Sequence, residues 1–274
     1  MTIAVTAPHP STDTDPDVRT LTILGGRDKS GVAEVLDLVV EPGDVLCLVG
    51  PTGSGKSRLL ADIECLAQGD TPSRRRILIN GAAPPSAWRY ATGRKMIAQI
   101  SQTMSFVVDL GVAAFLALHA VCRRLEDRER VVADTIACAN RLCGEPIAAD
   151  MALAQLSGGQ SRALMIADTA VLSASPIVLI DEIENAGVDR KRALDLLIAN
   201  EKIVLISTHD PILALSGKKR LVIKNGAVAD VIETSAEEIR NLAVLQRYDY
   251  ALGALRHRLR LGERIDAPLE WEGV

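Results

Sequence analysis

Five apolar residues, Val45 to Val49, run without a break into Gly50, Pro51, Thr52, Gly53, Ser54, Gly55, Lys56 and Ser57, and beyond Arg58 the residues Leu59, Leu60, Ile63 and Leu66 recur at helical spacing. A short continuous apolar run reads as a strand buried on both faces, and the spacing after it reads as an amphipathic helix. The order is therefore strand, glycine-rich loop, helix. Small residues let successive backbone N–H groups turn inward at the positive pole of the helix, so the loop is a cradle for phosphate. Lys56 adds a point charge for the outer phosphates, and the Ser57 hydroxyl is a ligand for magnesium.

Two further motifs follow. Leu156, Ser157, Gly158, Gly159 and Gln160 precede a helical pattern, which puts a hydroxyl and two unobstructed glycine N–H groups at a second helix N-terminus. One nucleotide cannot readily use both anion sites of a single chain. The apolar run Ile177 to Ile180 then ends in Asp181 and Glu182. Asp181 is expected to emerge at the carboxyl edge of the sheet, where it can hold magnesium through water. Glu182 leaves in a different direction and suits a base or water-orienting group opposite the γ phosphate.

The remaining elements read as an α/β protein. Strands are expected over 19–24, 35–40, 77–79, 96–100 and 203–207, with a hairpin over 220–232 around Asn225 and Gly226. Helical patterns cover 111–142, where the charged stretch Arg123 to Arg130 is either a solvated face or a helix junction, and they return over 157–172 and 191–199. Such alternation implies a mainly parallel sheet covered by helices. Ser235 to Glu238 is a capping box for a last helix, with Ile239, Leu242, Leu245, Leu252, Leu255 and Leu259 on one stripe. The expected organisation is a disordered leader over 1–17, a core over 18–102 and 157–232, a helical subdomain over 103–156, and a helical extension over 233–274.

Composition removes several function classes. A net charge of −4 with no long block of one sign gives no general affinity for nucleic acid or anionic lipid. The five cysteines, Cys47, Cys65, Cys122, Cys138 and Cys143, lack a C-x-x-C pair and read as buried, reduced thiols. Residues 1–17 have no apolar export core, and Val107 to Cys122 is too short to span a bilayer, so a cytoplasmic location is expected.

In these motifs the chain resembles the nucleotide-binding subunit of the ATP-binding cassette family, over about residues 18–232. The resemblance implies a P-loop NTPase core with an antiparallel β subdomain and a helical insertion. It implies ATP hydrolysis with Mg2+ by a head-to-tail pair, homodimer or two different cassettes, in which Ser157, Gly158, Gly159 and Gln160 of one subunit close over ATP held by Lys56 and Ser57 of the other. Gln102 matches the glutamine that contacts magnesium and reports to a partner, with Gln99 as a rival. His209 matches the switch histidine at the γ phosphate, and Asp189 the aspartate of the loop that crosses the dimer interface.

Three departures stand out. No Phe, Tyr or Trp precedes Trp88, so the aromatic residue that usually stacks on adenine is missing; Arg27, Val32 or a partner would have to compensate. Ile183 stands where transporter cassettes commonly have proline, and the following loop is one residue longer before Asp189. Soluble cassettes such as the iron-sulfur cluster assembly ATPase resemble this chain there. The third departure is the helix after Ser235, which extends past the common cassette. The leading expectation is an energy subunit for a separate membrane permease, with the cassette at the inner face of the membrane. The alternative is a soluble ATPase that assembles or remodels a protein or metallocofactor. Only 101 positions separate Lys56 from Ser157, which leaves no room for the long coiled coil of chromosome ATPases.

Overall fold

A computed structural model describes residues 17–90, 95–101, 104–182 and 187–266. The leader expected over 1–17, apart from its last residue, lies outside the described residues, as do Gln102 and Ile183. The central sheet has six strands in the order β5 (Ile97–Ser101), β6 (Ile177–Asp181), β7 (Ile203–Ser207), β3 (Val45–Val49), β8 (Lys219–Lys224) and β9 (Ala227–Glu233). All neighbours are parallel except β8 and β9, which form the antiparallel hairpin read around Asn225 and Gly226. A second sheet, β2 (Asp37–Val40), β1 (Leu21–Leu24) and β4 (Arg76–Ile79), is antiparallel. The α/β fold with an antiparallel subdomain and added helices is thus as the sequence implies.

β3 is apolar throughout, and β6 and β7 are apolar up to their last residues, Asp181 and Ser207, because both faces of the sheet are covered. On one face Leu46, Leu48, Ile177, Leu179, Ile203 and Leu205 pack with Leu59, Leu60 and Ile63 of α1 (Lys56–Glu64). On the other, Val45, Cys47, Val178, Ile180, Val204 and Ile206 pack against α5 (Gly158–Val171) and α6 (Arg190–Ala199). A short helix, α2 (Ser86–Tyr90), precedes β5.

Between β5 and α5 lie α3 (Val112–Cys122) and α4 (Arg128–Leu142). The charged stretch proves to be a junction: the helices part after Cys122, and Arg124 takes a left-handed φ of 57°. Val112, Leu116 and Ala120, one turn apart on α3, share a third core with Leu164 and Ala167 of α5. This core holds the added helices onto the start of α5, and each fully buried leucine contributes about 1.5–3 kcal/mol.

One sequence reading needs correction. Cys122 is exposed, because it ends α3 at the solvent-facing junction; Cys47 and Cys138 are buried, Cys65 and Cys143 half-buried, and all five are free. The stripe on α8 (Ala236–Arg260) is only partly covered: Ile239, Leu252 and Leu259 are exposed, since α8 packs chiefly on the short α7 (Pro211–Ser216). The Ser235–Glu238 capping box does form, with Ser235 N–H donating to Glu238 and Glu238 N–H to the Ser235 hydroxyl. No helix among the described residues is long and apolar enough to cross a membrane.

Candidate active site

The carboxyl ends of β3, β6 and β7 meet at one edge of the sheet, and the chemistry-bearing residues lie there. Gly50 to Gly55 join β3 to α1, with Gly55 at the N-cap in a left-handed conformation, φ 115°. A Cβ on Gly55 would stand 2.7 Å from the Gly226 Cα, so glycine is required for the loop to pass under the β8–β9 turn. Pro51, Thr52, Gly53, Ser57 and Arg58 are exposed, whereas Ser54 is buried and its carbonyl accepts a 2.6 Å hydrogen bond from Gly226 N–H. The Lys56 ammonium lies over the loop and donates to the carbonyls of Gly50 (2.8 Å) and Pro51 (3.3 Å).

Ser57 Oγ faces Asp181 Oδ2 at 3.5 Å. That is long for a hydrogen bond between oxygens, and it sets two hard oxygen donors side by side at the first turn of α1. A hydroxyl and a carboxylate so placed suit magnesium, which keeps most of its waters and takes few protein ligands. Asp181 pairs in register with Ser207 of β7, whose buried hydroxyl has no partner among the described residues.

Glu182 follows in a left-handed conformation, φ 53°, with its N–H donating to the Ser207 carbonyl (3.0 Å). The turn swings its side chain away from the line of the strand toward His209, whose Nδ1 is 3.9 Å from Glu182 Oε1. Both side chains are exposed, at 40% and 61%. Gln99, the rival to Gln102, sits within β5, and its amide nitrogen, in the orientation its surroundings require, donates to Glu64 of α1 at 3.0 Å.

At the start of α5, Ser157 is the N-cap and forms a reciprocal capping box with Gln160: Ser157 N–H donates to Gln160 Oε1 (2.9 Å) and Gln160 N–H to Ser157 Oγ (3.3 Å). The Gln160 amide also donates to the Pro146 carbonyl, and the residue is only 6% exposed. Gln160 therefore secures the turn internally, while Ser157 and Gly158 face outward and Gly159 is half-exposed. The loop Gly187 to Asp189 lies beside them: a Cβ on Gly187 would be 3.7 Å from Gly159 Cα, and Asp189 N–H donates to the Leu142 carbonyl at 2.7 Å. Asp189 also caps α6 through Arg192 N–H.

A family profile described as ABC transporter matches residues 33–185, more than half of the chain. The chain belongs to the ABC transporter family. An uncharacterized ABC transporter ATP-binding protein of Methanocaldococcus jannaschii is 50% identical over 91% of this chain and 95% of its own length. The macrolide export ATP-binding/permease protein MacB of Rhodopseudomonas palustris is 32% identical over 70% of this chain; the match takes in only 30% of that longer protein. The fold recurs in an ATP-binding subunit of an ABC transporter (TM-score 0.61, 22% identity, 82% of this chain and 94% of that one). It recurs also in a dimeric ATP-binding cassette in a post-hydrolysis state with ADP and Pi (TM-score 0.57, 21% identity, 79% and 99%). The chemistry of this ABC protein is the binding and hydrolysis of ATP.

The sequence motifs of the ABC protein gave no sign of what holds its phosphate loop from below. Arg75, fully buried, donates to Glu34 through Nε (2.8 Å) and Nη2 (2.9 Å), to Asp62 of α1 (3.0 Å) and to the Gly226 carbonyl (2.6 Å). Burial alone would lower its pKa, but the bonds and charges of Glu34 and Asp62 outweigh that and raise it. Lys29 reaches the Gly53 carbonyl at 2.6 Å from the opposite side, and Asn225 ties the hairpin to Asp28 and Ser30. An arginine in the run Arg74 to Arg76 carries no motif; the signal that could have found a buried cation is Asp62, an acid on the buried face of α1 beside Leu59, Leu60 and Ile63.

Proposed function

We propose that this ABC ATPase is the energy-coupling subunit of a membrane transporter and works as two copies closed head to tail over ATP. The observation that carries the reading is an apolar groove on the flank of the added helices, lined by Met104, Phe106, Val107, Val108, Met165 and Thr169. Val107 is 92% exposed, and Met104 and Val108 are also exposed. The groove opens at the end of β5, one strand from Asp181, and Asp168 of α5 in its wall binds His119 of α3 at 2.6 Å. A helix of a permease chain seated there would touch the segment that leads into α3, whose Phe106 packs on Phe115, and the helix capped by Ser157.

Within each site Gly50, Pro51, Thr52, Gly53, Ser54, Gly55, Lys56, Ser57 and Arg58 hold the phosphates, chiefly through backbone N–H groups and the Lys56 charge. Ser57, Asp181 and Gln102 would hold Mg2+, which when bound would neutralise charge on the outer phosphates. Glu182 takes the proton of the attacking water, and His209 contacts the γ phosphate. Ser157, Gly158 and Gly159 of the second copy complete the site, with Gln160 fixing their turn. Hydrolysis cuts the γ phosphate from ADP, and release of that phosphate removes the charge that the second helix N-terminus was holding, so the pair opens.

Names among the relatives support the reading, since MacB combines ATP-binding and permease parts in one protein. The soluble-assembly alternative drew on Ile183, the longer interface loop and the terminal helix, whereas the groove favours a docked partner of the apolar kind. The test is purification of tagged Glu182→Gln protein from native cells in mild detergent with ATP. A polytopic membrane protein at near-equal amount, lost when Met104 and Val107 are both replaced by Glu, is expected; a soluble partner that survives those changes contradicts the permease role.

A further inference from the structure

Arg190 is the first residue of α6, directly after Asp189, and its guanidinium is shared between two carboxylates on different elements. One edge binds Asp210, the residue after His209, and the other binds Asp249, midway along α8. Asp210 is itself fixed: Oδ1 accepts from the N–H groups of Ile212 (2.9 Å) and Leu213 (3.0 Å) at the start of α7, and its N–H donates to Thr208 Oγ1 (3.0 Å). Arg190 and Asp210 side chains are each 16% exposed and Asp249 35%. Two charge-assisted bonds from a planar fork hold direction as well as distance, unlike a solvent-exposed pair. Among the described residues Arg256, at 3.9 Å, also faces Asp249.

We infer that Arg190 and Asp249 are positioning residues through which α8 holds the His209 loop and the Gly187–Asp189 loop in register for hydrolysis. This rests on the reading of His209 as the γ-phosphate contact. The physical reason is the short path: one side chain separates the middle of α8 from the cap of α7, and His209 is the residue before that cap. The same arginine is one peptide bond from Asp189, so a shift of α8 reaches both loops at once. The extension beyond the common cassette thereby becomes part of the catalytic scaffold, with no contact to nucleotide of its own.

The experiment is steady-state ATPase kinetics on the full chain with Asp249→Asn, Arg190→Met and Arg190→Lys, each alone and combined with His209→Ala. Asp249→Asn is isosteric and leaves the Arg190–Asp210 bond in place, so it tests the α8 link without removing a cap. Expected are a fall in kcat of about tenfold for Asp249→Asn and Arg190→Met with KM for ATP nearly unchanged, partial recovery in Arg190→Lys, and at most about a threefold further fall when Asp249→Asn is added to His209→Ala, the share that passes through the Gly187–Asp189 loop. An unchanged kcat in Asp249→Asn, or a tenfold fall that persists in the His209→Ala background, overturns the inference while leaving the proposed function intact. A His209→Ala protein with full kcat overturns the reading beneath it instead.

Discussion

Glu182 shows how much the site asks of single residues. A non-glycine residue with φ 53° is held at a cost of about 1–3 kcal/mol, and the 3.0 Å bond from its N–H to the Ser207 carbonyl helps to hold it there. No aromatic residue precedes Trp88 to stack on a base. Arg27, Lys29 and Arg74 line a pocket beside the phosphate loop, which Lys29 touches at the Gly53 carbonyl, and Val32 is exposed in the loop that precedes β2. Losing a stacking contact forfeits about 1–3 kcal/mol of affinity for the base, which leaves binding to the phosphates and Mg2+ that ATP and GTP share, so GTP is expected to compete with ATP within about threefold. A hundredfold preference for ATP in a competition assay contradicts this. Lys202 gives a pH signature of its own. Burial lowers its pKa to about 8, with Arg123 adding to the effect, while its ammonium donates to the carbonyls of Ser173 and Ser175. Below pH 8 folded and unfolded chains both carry the proton; between pH 8 and about 10.4 only the unfolded chain does, so the native state gains as pH rises through that window. The melting temperature of the native sequence relative to Lys202→Gln should therefore climb from pH 7.5 to pH 9.5, and a constant difference rules the shift out.

At the scale of elements, the joint between α1, β4 and the β8–β9 turn is held by buried charge. Replacing Arg75 by Met leaves Glu34 and Asp62 buried without their cation and frees the Gly226 carbonyl, which should destabilise the protein by about 3–5 kcal/mol in urea melts. It should also weaken nucleotide binding, because Gly226 bonds the phosphate loop at Ser54. A loss below about 1 kcal/mol contradicts that role. Elements with a strong local signature were legible in the sequence: the strands β3, β6 and β7 as apolar runs, the β8–β9 turn as Asn-Gly, and the start of α8 as a capping box. The phosphate loop, Asp181 and Glu182 were legible for the same reason, since their chemistry needs fixed residue types at fixed spacing. Arg75 and Arg190 were not, because each gains its partners from segments far away in the chain and neither belongs to a spacing pattern. The exposed side of α8 was also hidden: a helical stripe records which residues share a face, and leaves open whether anything covers it.

At the scale of the whole molecule, the chain carries two helix N-termini built for anions, one ahead of α1 and one ahead of α5, and a single nucleotide cannot readily occupy both. In the proposed pairing each helix start is used once per ATP, and the Gly187–Asp189 loop beside Gly159 would then lie at the seam. The added helices connect this seam to the groove at Met104–Val108 through the third core and the His119–Asp168 pair. The most direct test is the solution mass of the Glu182→Gln protein, measured by light scattering after size exclusion with and without saturating ATP and Mg2+. Twice the chain mass with ATP, the single-chain mass without it, and no pairing when Lys56→Ala is added are the predicted results. A Glu182→Gln protein that stays at single-chain mass in saturating ATP contradicts the account.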